Sequence, residues 1–93
     1  MRTIEPTAGF RMDIKREKKG RYRATLDVDS WPVINQLARD EALSTRYRDH
    51  ALTGDSRAHR DCHIQPDLVL IERKTDADTL QLVRLGSHSE LRL

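Results

Sequence analysis

The spacing of apolar residues predicts a strand and then a helix at the beginning of the chain. A short strand is expected at Arg2–Glu5 and should stop at Pro6, which has no backbone N–H to donate within a central strand. Thr7 or Pro6 can begin a helix whose apolar side includes Phe10. This helix is expected to end near Gly20.

A second helix is predicted within Arg23–Ala42, where apolar residues recur with the i, i+3, i+4 spacing of one helix face. Asp29 or Ser30 is the expected N-cap, which would place Pro32 in the first turn, where proline is tolerated. The pattern does not distinguish one bent helix from two short ones, because Pro32 disturbs a helix that begins earlier.

The second half of the chain is predicted to form three strands joined by two short turns. Alternating or continuous apolar runs predict the strands, and Pro and Asp residues mark the turns. The expected strands are Arg57–Ile64, Leu68–Ile71 and Leu80–Leu85, and the expected turns are Gln65–Asp67 and Asp76–Asp78.

The remaining segments, Leu43–Ser56 and Ser87–Leu93, are predicted to be a loop and an irregular tail. Two helices followed by an antiparallel meander indicate an α+β fold. We expect a small antiparallel sheet with a mixed edge and the two N-terminal helices packed on one face. At 93 residues, the whole of 1–93 is expected to be one domain.

Cysteine content and the length of the apolar runs exclude several classes of protein. The single cysteine, Cys62, excludes a disulfide-stabilised secreted scaffold and Cys-rich zinc modules. No apolar run approaches the roughly 18 residues of a membrane span, and residues 1–10 lack the apolar core of a signal peptide. We therefore expect a cytoplasmic protein that does not enter a membrane. Cys62, Phe10 and Trp31 are expected to lie in its core.

Positive charge is concentrated in the first quarter of the chain. The formal net charge is only +2, but residues 1–25 carry eight Lys or Arg and three Asp or Glu side chains, a local net charge of +5. Most of this charge lies in Arg11–Arg23, a stretch that is expected to attract polyanions. The alternative is a solvated helix face whose last-turn cations interact with the helix dipole.

Histidine and aspartate residues accumulate in the second half of the chain. Loops and strand ends of an antiparallel sheet can bring such residues together on one face. They could then cleave RNA, which needs a base at the ribose 2′-hydroxyl, an acid at the departing 5′-oxygen and a cation for the charge on phosphorus. The side chains concerned are His50, His59, His63, His88, Asp49, Asp61 and Asp67.

These residues also have structural interpretations. A loop histidine is commonly solvated, Asp67 can simply fix a turn, and Asp61 can pair with a neighbouring arginine. A metal site of His50, His59 and His63 is a further alternative. The absence of a His pair at helical spacing and the presence of only one cysteine disfavour that alternative.

Three segments form an ordered set: Tyr47–His50 (YRDH), His59–Ile71 (HRDCHIQPDLVLI) and Leu85–Leu91 (LGSHSEL). In order and spacing, this set closely resembles the YafQ family of type II toxins, within the RelE/ParE superfamily. The resemblance extends over the whole chain, and the opening segments agree with it more weakly.

The resemblance implies a RelE-like fold and an activity. The activity is that of an mRNA interferase, a ribosome-dependent endoribonuclease that cuts the codon in the ribosomal A site by general acid–base chemistry, without a metal or other cofactor. The resemblance also implies a cognate antitoxin that is acidic in its toxin-binding segment and through which alone operator DNA is contacted. The antitoxin is expected to contact either Arg11–Arg23 or the site face.

The same resemblance implies a set of catalytic residues. His50, His63, Asp67 and His88 fall on the catalytic histidines and aspartate of the family, and Asp61 falls on a further functional acid. We expect His88 to be the general acid, His50 or Asp67 to be the general base, and His63 to orient the phosphate.

Basic side chains are expected to contact the RNA. Arg84, near the end of the last strand, is predicted to stabilise transition-state charge, and Arg92 can stack its guanidinium on a base. The basic stretch adds four further candidates, Lys15, Arg16, Lys18 and Lys19.

Three positions depart from the family pattern. Ser56 and Glu72 stand where relatives commonly carry Trp and Tyr, and Arg92 stands where relatives often carry Phe. These departures keep two alternatives open. One is a non-catalytic toxin on the same scaffold, such as a ParE-like poison of DNA gyrase, and the other is an inactive toxin kept as an antitoxin partner or co-repressor.

Overall fold

The computed structural model describes residues 1–52 and 58–93, and these residues form short helices and strands in the predicted order. In chain order the elements are β1 (Thr3–Pro6), α1 (Ala8–Glu17), α2 (Leu26–Ala38), a 3₁₀ helix (Thr45–Tyr47), β2 (His50–Ala51), β3 (Arg60–Gln65), β4 (Leu68–Asp76), β5 (Thr79–Gly86) and α3 (His88–Leu91).

The strands form one five-stranded sheet in the order β1-β5-β4-β3-β2. β3, β4 and β5 make an antiparallel meander, β2 extends it with antiparallel pairing to β3, and β1 joins β5 in parallel. The α+β prediction with a mixed sheet edge is therefore confirmed. In the register His50 lies opposite Asp61, and Asp61 lies opposite Ile71.

Apolar residues of α2 pack against one face of this sheet. Val33 of the helix and Leu68, Leu70 and Leu80 of the sheet are fully buried in one cluster that also includes Phe10 and Cys62. The prediction that Phe10 and Cys62 lie in the core is confirmed. The same prediction for Trp31 is wrong, because 47% of its surface is exposed.

α1 begins where the sequence predicts. The Thr7 hydroxyl accepts a hydrogen bond from the Phe10 N–H at 3.1 Å, which satisfies one of the free donors of the first turn. α2 begins earlier than predicted, at Leu26, with Thr25 and neither Asp29 nor Ser30 at its N-cap. The buried side chain of Leu26, 2% exposed, extends the helix by one turn in the N-terminal direction.

Pro32 consequently lies inside one continuous helix. It has no N–H to donate to the carbonyl of Val28, four residues earlier. Both residues lie on the exposed side of α2, so water can satisfy that carbonyl. The structure thus resolves the choice between one helix and two in favour of one.

The prediction of an irregular tail is wrong, because α3 forms there. The Ser87 hydroxyl accepts from the Glu90 N–H at 3.1 Å, and the Glu90 carboxylate accepts from the Ser87 N–H at 2.9 Å. This reciprocal pair is a capping box, and its S-x-x-E signature is present in the sequence. The predicted loop Leu43–Ser56 contains the 3₁₀ helix and β2, while its end at Ser56 lies outside the described residues.

Within the described ranges, no helix combines the length and the apolar character that a membrane span requires.

Candidate active site

Neighbouring elements bring five of the predicted site residues into one row. His50 on β2 lies opposite Asp61 on β3, and His63 follows two residues later on the same strand. The ring of His63 meets the ring of His88, at the start of α3, edge to face with centroids 5.0 Å apart. His88 in turn contacts Asp67 in the β3–β4 turn. We call this set the histidine row.

One end of the histidine row is the pair His88 and Asp67. One oxygen of the Asp67 carboxylate lies 2.8 Å from Nδ1 of His88 and also accepts from the backbone N–H of His88 at 3.0 Å. These two hydrogen bonds lower the pKa of Asp67, so the carboxyl stays ionised. An ionised acceptor at Nδ1 favours the tautomer with hydrogen on that nitrogen, which leaves Nε2 for proton exchange.

The other end is the pair His50 and Asp61. Nδ1 of His50 lies 2.7 Å from the carbonyl oxygen of Arg48 and 3.1 Å from Oδ1 of Asp61. Asp61 is only 4% exposed, and within residues 1–52 and 58–93 this Oδ1 accepts no hydrogen bond of good geometry. Both neighbours of Nδ1 are oxygen acceptors, so this nitrogen carries the hydrogen and Nε2 is left for proton exchange.

His63 lies between the two pairs and is partly buried. Burial lowers its pKa, and the nearby positive charges of His88, Arg48 and His50 lower it further against the opposing effect of Asp61. His63 is therefore neutral at pH 7. It also lines a pocket of about 280 Å³ together with Arg46, Arg48 and residues at the end of β3.

Arg46 and Arg48 are pocket cations to which the sequence analysis assigned no role. Arg46 lies in the 3₁₀ helix with its guanidinium 4.8 Å from the ring centre of Tyr47. Arg48 follows with φ 49°, a left-handed conformation that directs its carbonyl toward His50. Arg48 belongs to the YRDH segment that supports the family resemblance, so the sequence offers a reason to place it near the site. Arg46 lies outside that segment, and the sequence offers no such reason for it.

Arg84 and Arg16, predicted to contact RNA, are both bound to one buried carboxylate. Asp13, 3% exposed, accepts hydrogen bonds from Arg84 Nε at 2.7 Å, Arg16 Nη1 at 2.9 Å and the Leu85 N–H at 2.9 Å. Burial alone would raise the pKa of Asp13, but the bonds from Arg84 and Leu85 and the charges of both arginines lower it overall. The pairing gives both arginines a structural role, and their RNA contacts remain a prediction.

Arg16 extends this network to the helix that carries His88. Its guanidinium also donates to the Leu85 carbonyl at 2.8 Å and lies 3.0 Å from the Glu90 carboxylate of α3. A Cβ at Gly86 would lie 2.8 Å from Nη2 of Arg16, so a larger residue there would displace the guanidinium. Through Arg16, α1 is bound to the end of β5 and to α3.

The other predicted RNA contacts are exposed. Lys15, Lys18 and Lys19 lie at the end of α1 and just beyond it, and Arg92 follows α3 in a left-handed conformation with φ 59°. Their contact with RNA remains a prediction.

Of the positions that depart from the family pattern, Ser56 lies outside the described residues and Glu72 is buried, with 2% of its surface exposed. Glu72 lies on β4 opposite Arg60.

The described part of the chain contains no group of three or more His, Cys, Asp or Glu side chains arranged to hold a metal ion. The three histidines of the alternative metal site, His50, His59 and His63, all lie within the described residues, and they do not form such a group.

Comparison with known proteins gives consistent results over nearly the whole chain. Residues 2–93 match the family described as bacterial toxins of type II toxin–antitoxin systems, YafQ. The mRNA interferase toxin YafQ of Escherichia coli K12 is 32% identical over 92 residues, 97% of this chain and 95% of the relative. A YafQ toxin relative from Haemophilus influenzae is 46% identical over 64 residues, 66% of this chain and 63% of that protein.

Solved structures agree with these sequence matches. A copper-bound mutant toxin from Helicobacter pylori superposes with a TM-score of 0.90 at 36% identity, covering 98% of this chain and 99% of that chain. The YafQ chain of the E. coli DinJ–YafQ toxin–antitoxin complex superposes with a TM-score of 0.82 at 31% identity, covering 97% and 96% of the two chains. The chain therefore belongs to the YafQ family of bacterial toxins of type II toxin–antitoxin systems.

Proposed function

We propose that this toxin is an endoribonuclease that cleaves mRNA in the ribosomal A site and is neutralised by a cognate antitoxin. The observation that carries this proposal is the histidine row, in which two imidazoles are each held at Nδ1, which leaves Nε2 for proton exchange. The E. coli relative is named an mRNA interferase, which supports the same reaction class.

In the proposed mechanism, His50 and His88 transfer the protons. Nε2 of His50 takes the proton from the ribose 2′-hydroxyl, and the 2′-oxygen attacks phosphorus. The bond to the 5′-oxygen breaks, that oxygen takes a proton from Nε2 of His88, and a 2′,3′-cyclic phosphate is left. Asp67 is already bound to His88, so it supports the imidazolium of the acid, and Asp61 supports the imidazolium that forms at His50.

The remaining groups of the pocket orient and stabilise the phosphate. His63 is neutral and can donate one hydrogen bond to a phosphoryl oxygen. Arg46 and Arg48 supply positive charge beside it. The transition-state role predicted for Arg84 would require it to exchange its bonds to Asp13, so we assign the charge stabilisation to the two pocket arginines.

The partners proposed for this chain are an antitoxin, the ribosome and mRNA, and its proposed location is the cytoplasm. The solved E. coli complex of DinJ with YafQ supports an antitoxin partner. The exposed lysines at the end of α1 offer a cationic surface apart from the pocket, which suits an acidic antitoxin segment.

The test is cleavage of a defined mRNA by purified toxin, with and without ribosomes. We expect cleavage only with ribosomes, and we expect His88→Ala to abolish it while the circular dichroism spectrum is retained. His59→Gln is the matched control, because it removes an imidazole outside the row. Full cleavage by His88→Ala would remove the proposed acid. Growth arrest by a His50→Ala/His88→Ala double variant would indicate a non-catalytic poison.

A further inference from the structure

A second groove lies beside the pocket of the histidine row, between the exposed face of α2 and the 3₁₀ helix. It encloses about 790 Å³ and is lined by Trp31, Pro32 and Arg39 on one side and by Arg46 and Tyr47 on the other. Arg46 lines both the groove and the pocket that contains His63, so the two cavities adjoin at this side chain. We call this second cavity the tryptophan groove.

We propose that the tryptophan groove binds a nucleotide of single-stranded RNA next to the nucleotide that is cleaved. In this arrangement the base stacks on Trp31 and the phosphate that links the two nucleotides lies at Arg46. The inference rests on the proposed RNA cleavage, because it extends the substrate from the histidine row into the adjoining cavity.

Trp31 presents an exposed aromatic ring on the outer face of α2. The inner face of α2 is filled by residues such as Val33 and Leu37, and the indole lies on the opposite side with 47% of its surface exposed. An exposed indole on a rigid helix is a stacking surface that accepts any base, as in proteins that bind single-stranded nucleic acids. A volume of about 790 Å³ falls within the usual range of small-ligand sites.

Arg46 places a positive charge where the groove and the pocket meet. Its guanidinium packs over the ring of Tyr47 at 4.8 Å, which holds the charge at the junction between the groove and the pocket. Arg39 adds a second cation, and Glu41 is the acid that the groove contains. A polyanion that extends from the pocket of the histidine row meets Arg46 at the wall that the two cavities share, and this adjacency favours RNA over a protein segment as the occupant.

The chain allows a direct test of stacking, because Trp31 is its only tryptophan. The intrinsic fluorescence of the toxin is titrated with a mixed-sequence single-stranded RNA of about ten nucleotides. We expect saturable quenching that weakens as salt is raised. Arg46→Ala should weaken binding about fivefold or more. Lys74→Ala, which removes one positive charge outside the groove, should have little effect.

The ribosome assay supplies the second measurement. Trp31→Ala should raise the toxin concentration that gives half-maximal cleavage by about fivefold to tenfold with the maximal rate unchanged, and Trp31→Phe should restore most of the loss. Val28→Ala is the matched control, since Val28 is 74% exposed on the same helix but does not line the groove. If Trp31→Ala fails to fold, its circular dichroism spectrum will show this. Trp31→Phe, which keeps an aromatic ring at this position, then tests the stacking.

The outcomes separate this inference from the proposed function. Unquenched fluorescence, or an unchanged half-maximal concentration for Trp31→Ala, overturns the RNA groove while cleavage by the wild type stands. Weaker antitoxin binding by Trp31→Ala with unchanged cleavage also overturns it and assigns the groove to a protein. Quenching without any ribosome-dependent cleavage by the wild type would instead refute the proposed function.

Discussion

Glu72 is a buried acid whose titration should make the stability of this toxin fall as pH rises. Its side chain is 2% exposed, and among the described residues its Oε2 has no hydrogen-bond partner. Burial raises the pKa of Glu72 to about 7 from its ordinary value of 4.5. The charges of Asp49 and Asp61 contribute to this rise, whereas those of Arg60 and Lys74 oppose it.

The magnitude follows from the difference between these two pKa values. Above pH 4.5 the unfolded chain releases the Glu72 proton, whereas the folded chain keeps it until about pH 7. The free energy of unfolding should therefore fall across this interval and level off above it. At about 1.4 kcal/mol for each pKa unit, the total loss is about 3 kcal/mol, a large part of the stability of a small domain.

The assay is urea unfolding at a series of pH values from 5 to 8, for the wild type and for Glu72→Gln. Between pH 5 and pH 8 we expect the stability of the variant relative to the wild type to rise by about 2–3 kcal/mol, because part of the total loss has occurred by pH 5. The pKa of His63 is lowered in the folded state, so its contribution to the free energy of unfolding decreases as pH falls. This contribution is the same in both proteins and cancels in their difference.

Glu41→Gln is the control for this experiment, because Glu41 is an exposed glutamate. It should give the same pH profile as the wild type. A difference between the wild type and Glu72→Gln that stays constant from pH 5 to 8 would show that Glu72 is ionised in the folded state, and the argument from burial would then fail.

Three further predictions concern the site and its supports. Asp67→Asn should lower the single-turnover cleavage rate on ribosomes about tenfold to a hundredfold, because His88 loses the carboxylate that holds it. A change in the toxin concentration that gives half-maximal cleavage, with the rate itself unchanged, would contradict this role. Asp13→Ala should lower the free energy of unfolding in urea by about 3–5 kcal/mol, because it leaves two arginines and one N–H without their buried acceptor; a loss below about 1 kcal/mol would refute that role. Antitoxin affinity, measured by calorimetry, should fall as salt rises if the lysines after α1 form the contact, and a salt-independent affinity would exclude them.

The sequence predicts those parts of the fold that local chemistry determines. Thr7 is a good cap, Pro66 and Asp67 make a turn, and the apolar run that begins at Leu68 forms the central strand β4. α3 belongs to the same group, because the capping box of Ser87 and Glu90 is visible in the sequence although the segment was predicted to be irregular.

Tertiary contacts account for the errors at α2. A proline at the seventh helical position and a start without a side-chain cap are both unfavourable locally. Burial of Leu26 against the sheet outweighs them, and the longer helix then turns Trp31 outward. A local sequence pattern does not show that burial of Leu26 outweighs the proline and the missing cap, because the partners of Leu26 lie elsewhere in the chain.

The family resemblance located the histidine row, but the geometry of the row depends on contacts between distant segments. The tautomer of His88 is fixed by a residue 21 positions away, and the support of α3 through Asp13 and Arg16 spans about 70 positions. The spacing of charges in the sequence does not show that Asp13 holds two arginines.

The distribution of charge in space also differs from its distribution along the chain. The first quarter has a net charge of +5, and Arg16 is paired with Asp13 and Glu90, so the cationic surface there comes from exposed lysines together with Arg11, Arg21 and Arg23. The cations that line the pocket, Arg46 and Arg48, come from residues 26–50, which have a net charge of −2. The basic quarter and the pocket of the histidine row are thus supplied by different segments, and the proposed antitoxin and RNA contacts would use separate cationic surfaces. Variants that remove lysines after α1 should therefore affect antitoxin binding and RNA cleavage to different extents.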